Sequence, residues 1–390
     1  MTTERVRVGE VLRLQRIPVD PDPLTDYVSI GIRSFGKGIF HYEPLPGDKL
    51  GKLRFFGVEP DRLIVSNIKG WEGAVAVSTS DDDGCIASSR FLAYVPIDER
   101  ISVRWARWFF LSEFGNELLQ RASPGSADRN RTLAIDRFEA LEIPLLPIDE
   151  QQRVALRLDH VEAVSDELRE RAARASELAD AFAVSTASRA DLDQPAKIGS
   201  GWRRERLGEV MQPANASIRV DAAGTYPNVG IYSFGRGLFE KPPIDGAATS
   251  ATTLNRVVEG QFIYSRLFAF ECAYAYVSHD FDGYYVSNEF PTFDPDPDAL
   301  DARWLATVFR SRDIWAELAG RSKGLGVRRR RVPVEAVLGY ELWLPPIDEQ
   351  QAMVSKIAEM QRASTHRREV MNRVHALLPA AVNEAFAGLS

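Results

Sequence analysis

Two kinds of hydrophobic pattern alternate along this chain of 390 residues. Short apolar runs at 64–68 and 262–267, bounded by turn-forming residues, predict β-strands. Apolar side chains at helical spacing over 102–120 and 301–319 predict amphipathic helices. The large side chains expected in the core are those of Trp105, Phe109, Leu118, Trp304, Val308, Trp315 and Leu318. The two patterns together indicate mixed α and β content.

After each mixed segment, apolar residues step four and then three positions along a long stretch. The first stretch has Val154, Leu158, Val161, Ser165, Leu168, Ala172, Ala175, Ala179 and Phe182 at these positions. The second has Met353, Ile357, Met360, Ser364, Arg367, Met371, Val374, Leu378 and Ala381, with Ser364 and Arg367 as polar interruptions. A heptad seam of this kind predicts a long helix packed against another helix. Residues 150–187 would form a helix about 57 Å long.

The chain is a tandem repeat. Pro-Ile-Asp-Glu-Gln-Gln at 147–152 recurs at 346–351, and Ser-Phe-Gly-Lys-Gly at 34–38 recurs as Ser-Phe-Gly-Arg-Gly at 233–237. Both recurrences are displaced by 199 residues (346 − 147 and 233 − 34). One displacement holds from about residue 8 to the C-terminus, so two copies of one unit account for the whole chain.

This organisation predicts the α+β class, with two tandem globular domains of mixed α and β structure and two long helices. A helix with a heptad seam must bury that seam, so the two helices are expected to form an intramolecular antiparallel coiled coil with approximate two-fold symmetry. The predicted divisions are a first globular domain at 1–148, a helix at 149–190, a linker at 191–201, a second globular domain at 202–347 and a helix at 348–388.

One phrase links the sequence to a known family. Glu-Ile-Pro-Leu-Leu-Pro-Ile-Asp-Glu-Gln-Gln at 142–152 precedes a long helix, and a variant of it at 341–351 does the same. This order resembles the specificity (S) subunits of type I restriction-modification systems over the full chain. The resemblance implies that each globular half is a target-recognition domain for half of a split site in double-stranded DNA. It also implies that the helices set the spacing and dock two methyltransferase subunits.

The resemblance further implies a non-catalytic chain without a cofactor of its own. S-adenosylmethionine, ATP and Mg²⁺ would then belong to the methyltransferase subunits and to a restriction/translocase subunit. The sequence agrees, because it lacks the Gly-rich loop and the Asn/Asp-Pro-Pro-Tyr/Phe phrase of methyltransferases. Glu72 and Glu271 align between the copies, but no lysine follows two residues later, as a nuclease of the Asp…Glu-x-Lys type requires. They are expected to have a structural or DNA-contact role.

Side chains expected to contact DNA are polar or aromatic residues beside loops, because bases are read by Arg, Lys, Asn and Gln and phosphates are bound by cations and amides. They are Arg33, Ser34, Lys37, Asn67, Lys69, Trp71, Arg129, Asn130, Arg131, Tyr232, Arg236, Arg266, Arg321, Lys323, Arg328, Arg329, Arg330 and Arg331. The glycine-bearing basic loop over 321–331 is the strongest local signal. Because the two copies are alike, the half-sites are expected to be similar and inverted, giving a near-palindromic split site.

Composition moderates this interpretation without overturning it. The formal net charge of −7 argues mildly against nucleic-acid binding, unless acidic and basic residues lie on separate elements. Two cysteines and five scattered histidines predict neither a disulfide framework nor a zinc site. No apolar run is long enough for a membrane span, and a cytoplasmic location is expected. The alternatives are a protein-assembly scaffold that does not bind DNA and a specificity-like subunit of another phage-defence complex.

Overall fold

The computed structural model describes residues 4–125, 131–268, 271–322 and 331–389. In the long helix near the C-terminus, the side chains of 361 and 363–369 lie outside this description. Helices and strands occur in both copies of the repeat, so the predicted mixed composition is confirmed. None of the helices in these ranges combines the length and the apolar composition that a membrane-spanning segment requires.

The described part of the first copy contains thirteen strands and five α-helices, besides short 3-10 turns. The strands are β1 (Glu4–Arg7), β2 (Leu12–Gln15), β3 (Pro18–Val19), β4 (Asp26–Tyr27), β5 (Ile30–Ile32), β6 (Ile39–His41), β7 (Leu45–Pro46), β8 (Phe55–Gly57), β9 (Leu63–Ser66), β10 (Val75–Val77), β11 (Ile86–Ser88), β12 (Phe91–Pro96) and β13 (Glu142–Leu145). The helices are α1 (Val8–Val11), α2 (Val103–Leu111), α3 (Glu113–Arg121), α4 (Ile135–Glu139) and α5 (Ile148–Ser188).

The described part of the chain after α5 contains eleven strands and six α-helices, of which α6 lies in the predicted linker and the other five in the second copy. The strands are β14 (Arg203–Arg206), β15 (Met211–Pro213), β16 (Ser217–Arg219), β17 (Thr225–Ile231), β18 (Leu238–Asp245), β19 (Thr253–Arg256), β20 (Phe262–Tyr264), β21 (Tyr274–Tyr276), β22 (Tyr285–Val286), β23 (Thr292–Pro295) and β24 (Glu341–Leu344). The helices are α6 (Gln194–Gly199), α7 (Leu207–Val210), α8 (Ala302–Val308), α9 (Arg312–Gly320), α10 (Val334–Leu338) and α11 (Ile347–Phe386).

Each copy builds a four-stranded antiparallel sheet with the same order, β10-β9-β12-β2 in the first and β21-β20-β23-β15 in the second. A separate antiparallel pair joins the first strand of each copy to the strand before its long helix. Arg7 of β1 lies opposite Glu142 of β13, and Arg206 of β14 lies opposite Glu341 of β24. The chain therefore leaves each globular part beside the point where it entered.

The amphipathic helices predicted over 102–120 and 301–319 are each split in two, so the prediction of single helices was wrong. In the first copy the Ser112 hydroxyl accepts the Gly115 amide at 3.1 Å and caps α3. Gly115 lies so close to Phe109 that a Cβ atom would be 1.9 Å from the Phe109 carbonyl oxygen. Hydrophobic periodicity continues through this break, so it gave no sign of the cap and the close contact.

One glutamine of the repeated Pro-Ile-Asp-Glu-Gln-Gln phrase has the same structural role in both copies. Gln151, fully buried, donates from Nε2 to the carbonyls of Arg100 and Leu146, both at 2.8 Å. Its Oε1 accepts the Ser102 amide at 2.9 Å. Gln350 makes the matching bonds to the carbonyls of Ala299 and Pro345 and to the Asp301 amide. In each copy one glutamine thus ties the start of a long helix to the loop before the shorter helix pair.

Packing divides the chain into two units. Unit 1 consists of Met1–Arg171 with Glu369–Ser390, and unit 2 consists of Ala172–Arg368. Each unit therefore combines one globular part with the beginning of its own long helix and the end of the other long helix. The predicted core residues are confirmed: Trp105, Phe109, Leu118, Trp304, Val308 and Leu318 are buried and Trp315 is half-buried.

In unit 1, the end of α11 completes the hydrophobic core. The ring of Phe386 lies 5.8 Å from that of Trp105 and 5.7 Å from that of Phe109, measured between centroids. Leu158, near the beginning of α5, is buried in the same cluster. Residues almost 280 positions apart in sequence (386 − 109) therefore share one core.

In unit 2, the end of α5 has the corresponding role. Trp304 Nε1 donates to the Ala187 carbonyl at 3.0 Å, in the interior of the core. Arg189 pairs with Glu349 at 3.6 Å, and the Lys356 ammonium lies 5.9 Å from the centre of the Phe182 ring. Residue numbers fall along α5 as they rise along α11, so these two segments run in opposite directions within unit 2.

The predicted heptad positions are only partly the buried ones. Leu168 and Phe182 are about half exposed, whereas Ala183, the residue after Phe182, is buried. An α-helix with 3.6 residues per turn drifts from a strict repeat of 3.5, which moves the buried face to later positions. Ser364 and Arg367 of the predicted second seam lie outside the described side chains.

Candidate nucleic-acid interface

The turn Ser-Phe-Gly at 34–36 is fixed from one side by Glu72. The Phe35 amide donates to the Glu72 carbonyl at 2.8 Å, and the Gly36 amide donates to the Gly73 carbonyl at 3.0 Å. The Ser34 hydroxyl donates to Glu72 Oε2 at 2.8 Å. Two predicted regions far apart in sequence, the glycine turn and the loop after β9, therefore meet at one glutamate.

Three predicted side chains gather around this glutamate. Lys69 Nζ lies 2.7 Å from Glu72 Oε1 and 5.1 Å from the centre of the Trp71 ring. The Arg131 guanidinium lies 5.0 Å from the same ring. The hydrogen bond from Lys69 is the main reason that the pKa of Glu72 lies below its usual value, and the bond from Ser34 adds to it. The result is a stack of two cations on one tryptophan beside an ionised carboxylate.

The Asn67 backbone joins the loop after β9 to the segment that follows Arg131. Its amide donates to the Arg90 carbonyl at 2.8 Å, and its carbonyl accepts the Leu133 amide at 2.7 Å. The strand before it ends at Ser66, whose hydroxyl accepts the Lys69 amide at 3.2 Å and starts a turn. Asn67 Oδ1 is buried and has no hydrogen-bond partner among the described residues.

Unit 2 repeats the turn and changes what surrounds it. The Ser233 hydroxyl donates to Glu271 Oε2 at 2.9 Å, and the Phe234 amide donates to the Glu271 carbonyl at 2.7 Å. Arg236 donates from Nε to the Ser233 carbonyl at 3.0 Å, and its guanidinium lies 4.9 Å from the centre of the Tyr232 ring. Unit 2 therefore stacks an arginine on an aromatic ring of the turn itself, whereas unit 1 has one such contact beside the turn, Arg33 on Phe40, and another on the neighbouring loop, Arg131 on Trp71.

The predicted arginines at the edges of the basic loop are engaged with carboxylates. Arg331 donates to both Glu289 oxygens, at 3.0 and 3.2 Å, and this pairing raises the pKa of its guanidinium. Arg321 donates to Glu317 at 2.6 Å and lies 5.5 Å from the centre of the Tyr340 ring.

The remaining predicted residues lie on the turn of unit 1, beside the basic loop of unit 2 or outside the described residues. Arg33 and Lys37 are exposed on the turn of unit 1, with the Arg33 guanidinium 4.7 Å from the centre of the Phe40 ring. The Arg266 carbonyl accepts the Val332 amide at 3.0 Å, which brings the end of the basic loop beside the loop after β20. The predicted positions outside the described residues are Arg129, Asn130, Lys323, Arg328, Arg329 and Arg330.

Sequence reasoning missed the residues that attach these turns to the long helix α5. Arg107 in unit 1 donates to the Gly36 carbonyl at 3.3 Å and forms a two-bond pair with Glu162 at 2.5 and 2.9 Å. In unit 2, Arg310 pairs with Asp180 at 2.5 Å, and a Cβ added at Gly235 would meet its Cγ. Arg107 and Arg310 are not at equivalent positions, so the repeat gave no signal for them.

No group of three or more His, Cys, Asp or Glu side chains is placed to hold a metal ion within the ranges that the structure describes. Cys85 and Cys272 are both buried and free. The turns at Ser34 and Ser233 thus present cations and aromatic rings beside the carboxylates of Glu72 and Glu271.

Comparison with solved structures defines the fold. A structure described as concerning complex assembly and conformational transition of the type I R-M system has 18% identity and a TM-score of 0.65, with 99% of this chain and 98% of that chain covered. The type I restriction-modification S subunit from M. genitalium has 10% identity and a TM-score of 0.50, with 99% and 96% covered.

The chain has the fold of a type I S subunit. The match covers both copies of the repeat and both long helices, which agrees with the resemblance found in the phrase at 142–152. No known family profile and no curated protein matches the chain in sequence. The chain thus shares this fold with these structures at 10% and 18% sequence identity.

Proposed function

We propose that this protein is the DNA-recognition subunit of a type I-like restriction-modification complex and has no catalytic centre of its own. The proposal rests on the likeness of 99% of the chain, at a TM-score of 0.65, to a structure described as concerning the type I R-M system, and on the fold that the chain shares with a type I S subunit. The paired turns at Ser34 and Ser233 support it, because each presents cations and aromatic rings on a backbone fixed by a glutamate. The globular part of each unit would read one half of a split site in double-stranded DNA.

The long helices would form an antiparallel coiled coil that sets the distance between the half-sites. Support comes from each unit separately. Arg157 near the beginning of α5 lies 3.9 Å from Glu384 near the end of α11. Arg189, the residue after the end of α5, lies 3.6 Å from Glu349 at the beginning of α11. The same helices would dock two methyltransferase subunits, and a restriction/translocase subunit would complete the complex. S-adenosylmethionine, ATP and Mg²⁺ would be bound by these partners in the cytoplasm.

Selection from random duplexes, with the purified chain and its methyltransferase subunit, tests this function. We expect one split site with two similar, inverted half-sites, because the Ser-Phe-Gly turn and its glutamate recur in both units. Two unrelated half-sites would contradict the prediction of a near-palindromic site but not the prediction of DNA recognition. Absence of any salt-dependent association with duplex DNA would contradict DNA recognition and favour an assembly scaffold.

The salt dependence of binding gives a sharper test of the turn. Replacement of Lys37 or Arg236 by Ala should weaken binding to all duplexes and reduce the slope of log K against log salt by about 0.9 for each phosphate that is no longer neutralised. Lys49→Ala is the matched control, since Lys49 is an exposed lysine of unit 1 on a different turn. An equal effect of all three substitutions would indicate general electrostatic attraction and not a specific role of the turn.

A further inference from the structure

Phe35 and Phe234 are the most exposed aromatic side chains among the described residues, at 74% and 56% of their full surface. They occupy equivalent positions of the repeat, in the turns that Glu72 and Glu271 hold. We propose that both phenylalanines make apolar contact with DNA bases, one in each half-site. This inference rests on the proposed function and names the part of the surface that reaches the bases.

The backbone at these positions disfavours a side chain as bulky as phenylalanine. Phe35 has φ of 62° and Phe234 has φ of 64°, in the left-handed region. Residues other than glycine, asparagine and aspartate rarely adopt this conformation, and a bulky residue there is an outlier. Glycine would fit both turns without strain, yet both copies have phenylalanine. A strained residue that persists in two copies points to a use for its side chain.

Packing does not account for these rings. Phe35 is mostly in contact with solvent, and Phe234 meets the Trp315 ring only edge-on at 6.0 Å between centroids. An exposed phenylalanine contributes little to folding, since it stays in water. Neither conformation nor core burial explains the residue, which leaves contact with a partner.

The turns present the rings on a rigid base. In each copy the serine hydroxyl, the phenylalanine amide and the glycine amide all bond to the segment that holds the glutamate. From the other side, a Cβ added at Gly36 would lie 2.8 Å from Leu111 Cδ1 and one added at Gly235 would lie 2.6 Å from Arg310 Cγ. The turn is therefore held between two elements, and little freedom would be lost when the ring binds.

The surroundings favour DNA over a protein as the partner. Arg33 and Lys37 flank Phe35, and Arg236 follows Phe234 by two residues. A ring beside cations suits a base pair, which has apolar faces and methyl groups between two phosphate backbones. Proteins that insert Phe or Leu between base steps combine the same two features. The cations would position the turn, and the uncharged ring would touch the bases.

Phe35→Gly and Phe234→Gly test the inference, measured with the full chain and its methyltransferase subunit on the selected duplex. Each substitution should raise the melting temperature by about 2–4 °C, because glycine removes the strain. Each should also weaken specific binding by about tenfold or more, with the salt slope unchanged, because a ring displaces no counterions. A more stable protein that binds less tightly cannot be explained by misfolding.

Tyr42→Ala is the matched control, since Tyr42 is an aromatic residue of unit 1 with 54% exposure and lies outside the turn. It should bind within about twofold of the unaltered chain. If the unaltered chain binds the site and both glycine variants bind it equally well, the base contact is wrong and the proposed function stands. If the glycine variants lose the methyltransferase subunit in the absence of DNA, the rings contact protein and the inference also fails. If the unaltered chain binds no duplex, the proposed function fails first.

Discussion

Cys272 occupies a backbone position that the first copy fills with Gly73. Both residues are left-handed, with φ of 57° for Cys272 and 74° for Gly73. Both carbonyls accept the amide of the glycine in the Ser-Phe-Gly turn, which explains why the conformation is kept. The second copy tolerates a side chain there because the thiol is buried and Sγ donates to the Phe309 carbonyl at 3.1 Å.

We expect Gly73→Ala to lower the free energy of unfolding by about 1 kcal/mol, since alanine cannot adopt this φ without strain. No clash adds to the cost, because the nearest atom to the new Cβ would be Leu111 Cδ2 at 3.4 Å. Cys272→Gly should change stability much less, because relief of strain offsets the reduced burial of apolar surface. Urea unfolding of both variants measures this, and a neutral Gly73→Ala would contradict it.

The Glu72 carboxylate makes the stability of the turn in unit 1 depend on pH. Its pKa is lowered mainly by the Lys69 hydrogen bond, so its stabilising effect is complete above its ordinary value of 4.5 and is lost as pH falls through the lower folded value. The stability difference between the unaltered chain and Glu72→Gln should therefore be present at pH 7 and vanish in acid. Because Lys69 is partly exposed, we expect a difference of only about 0.5 kcal/mol at pH 7.

Urea unfolding from pH 7 to pH 3 checks this expectation. In a chain that already carries Lys69→Met, Glu72→Gln should have a smaller effect at pH 7. An effect of Glu72→Gln on the otherwise unaltered chain that persists unchanged into acid would contradict the assigned role of the ion pair.

Among the elements, the start of each long helix depends on one buried glutamine. Gln151→Ala would leave the Ser102 amide and the carbonyls of Arg100 and Leu146 without their partner. We expect the free energy of unfolding to fall by about 2–3 kcal/mol, because unpaired buried polar groups lose hydration without compensation. Thermal or urea unfolding measures the loss.

Gln152 gives the control for this experiment, since it has the same side chain one residue later and is exposed. Its replacement by Ala should change stability by less than about 0.5 kcal/mol. Similar losses at both positions would mean that helix propensity, and not the hydrogen-bonded anchor, sets the stability. Gln350 and its neighbour Gln351 should behave as Gln151 and Gln152 do.

At the scale of the whole molecule, each globular core is completed by the far end of the other copy's helix. Phe386→Ala should lower the stability of unit 1 by about 3–4 kcal/mol, since it removes a buried ring that packs on Trp105 and Phe109. Hydrogen exchange should rise in α2 and α3 and stay unchanged in α8 and α9. Leu377→Ala, at an exposed position of the same helix, should have no comparable effect.

Equal loss of protection in both units would contradict this assignment and indicate that the two cores unfold together. Unchanged protection everywhere would mean that the end of α11 is dispensable for the core of unit 1. Each of these outcomes, and the expected one, predicts faster exchange in a different set of peptides. Mass spectrometry of the digested protein therefore distinguishes them.

The sequence alone determined the duplication, the mixed α and β content, the two long helices and several of the large core side chains. These follow from one displacement of 199 residues and from periodicity, which are properties of neighbouring positions along the chain. It also indicated the turns at Ser34 and Ser233 and the loops that meet them. The sequence did not reveal that the phenylalanines within those turns are exposed, because a local sequence pattern does not determine which side chains face solvent.

Only the tertiary structure decided how these pieces meet. Glu72 joins the turn to the loop after β9, Arg107 joins the turn to α5, and Phe386 enters a core almost 280 residues away. The split of the predicted helix at Ser112 also depends on how Gly115 packs on Phe109. Contacts between distant residues arise from the packing of whole elements, so no window of the sequence contains them.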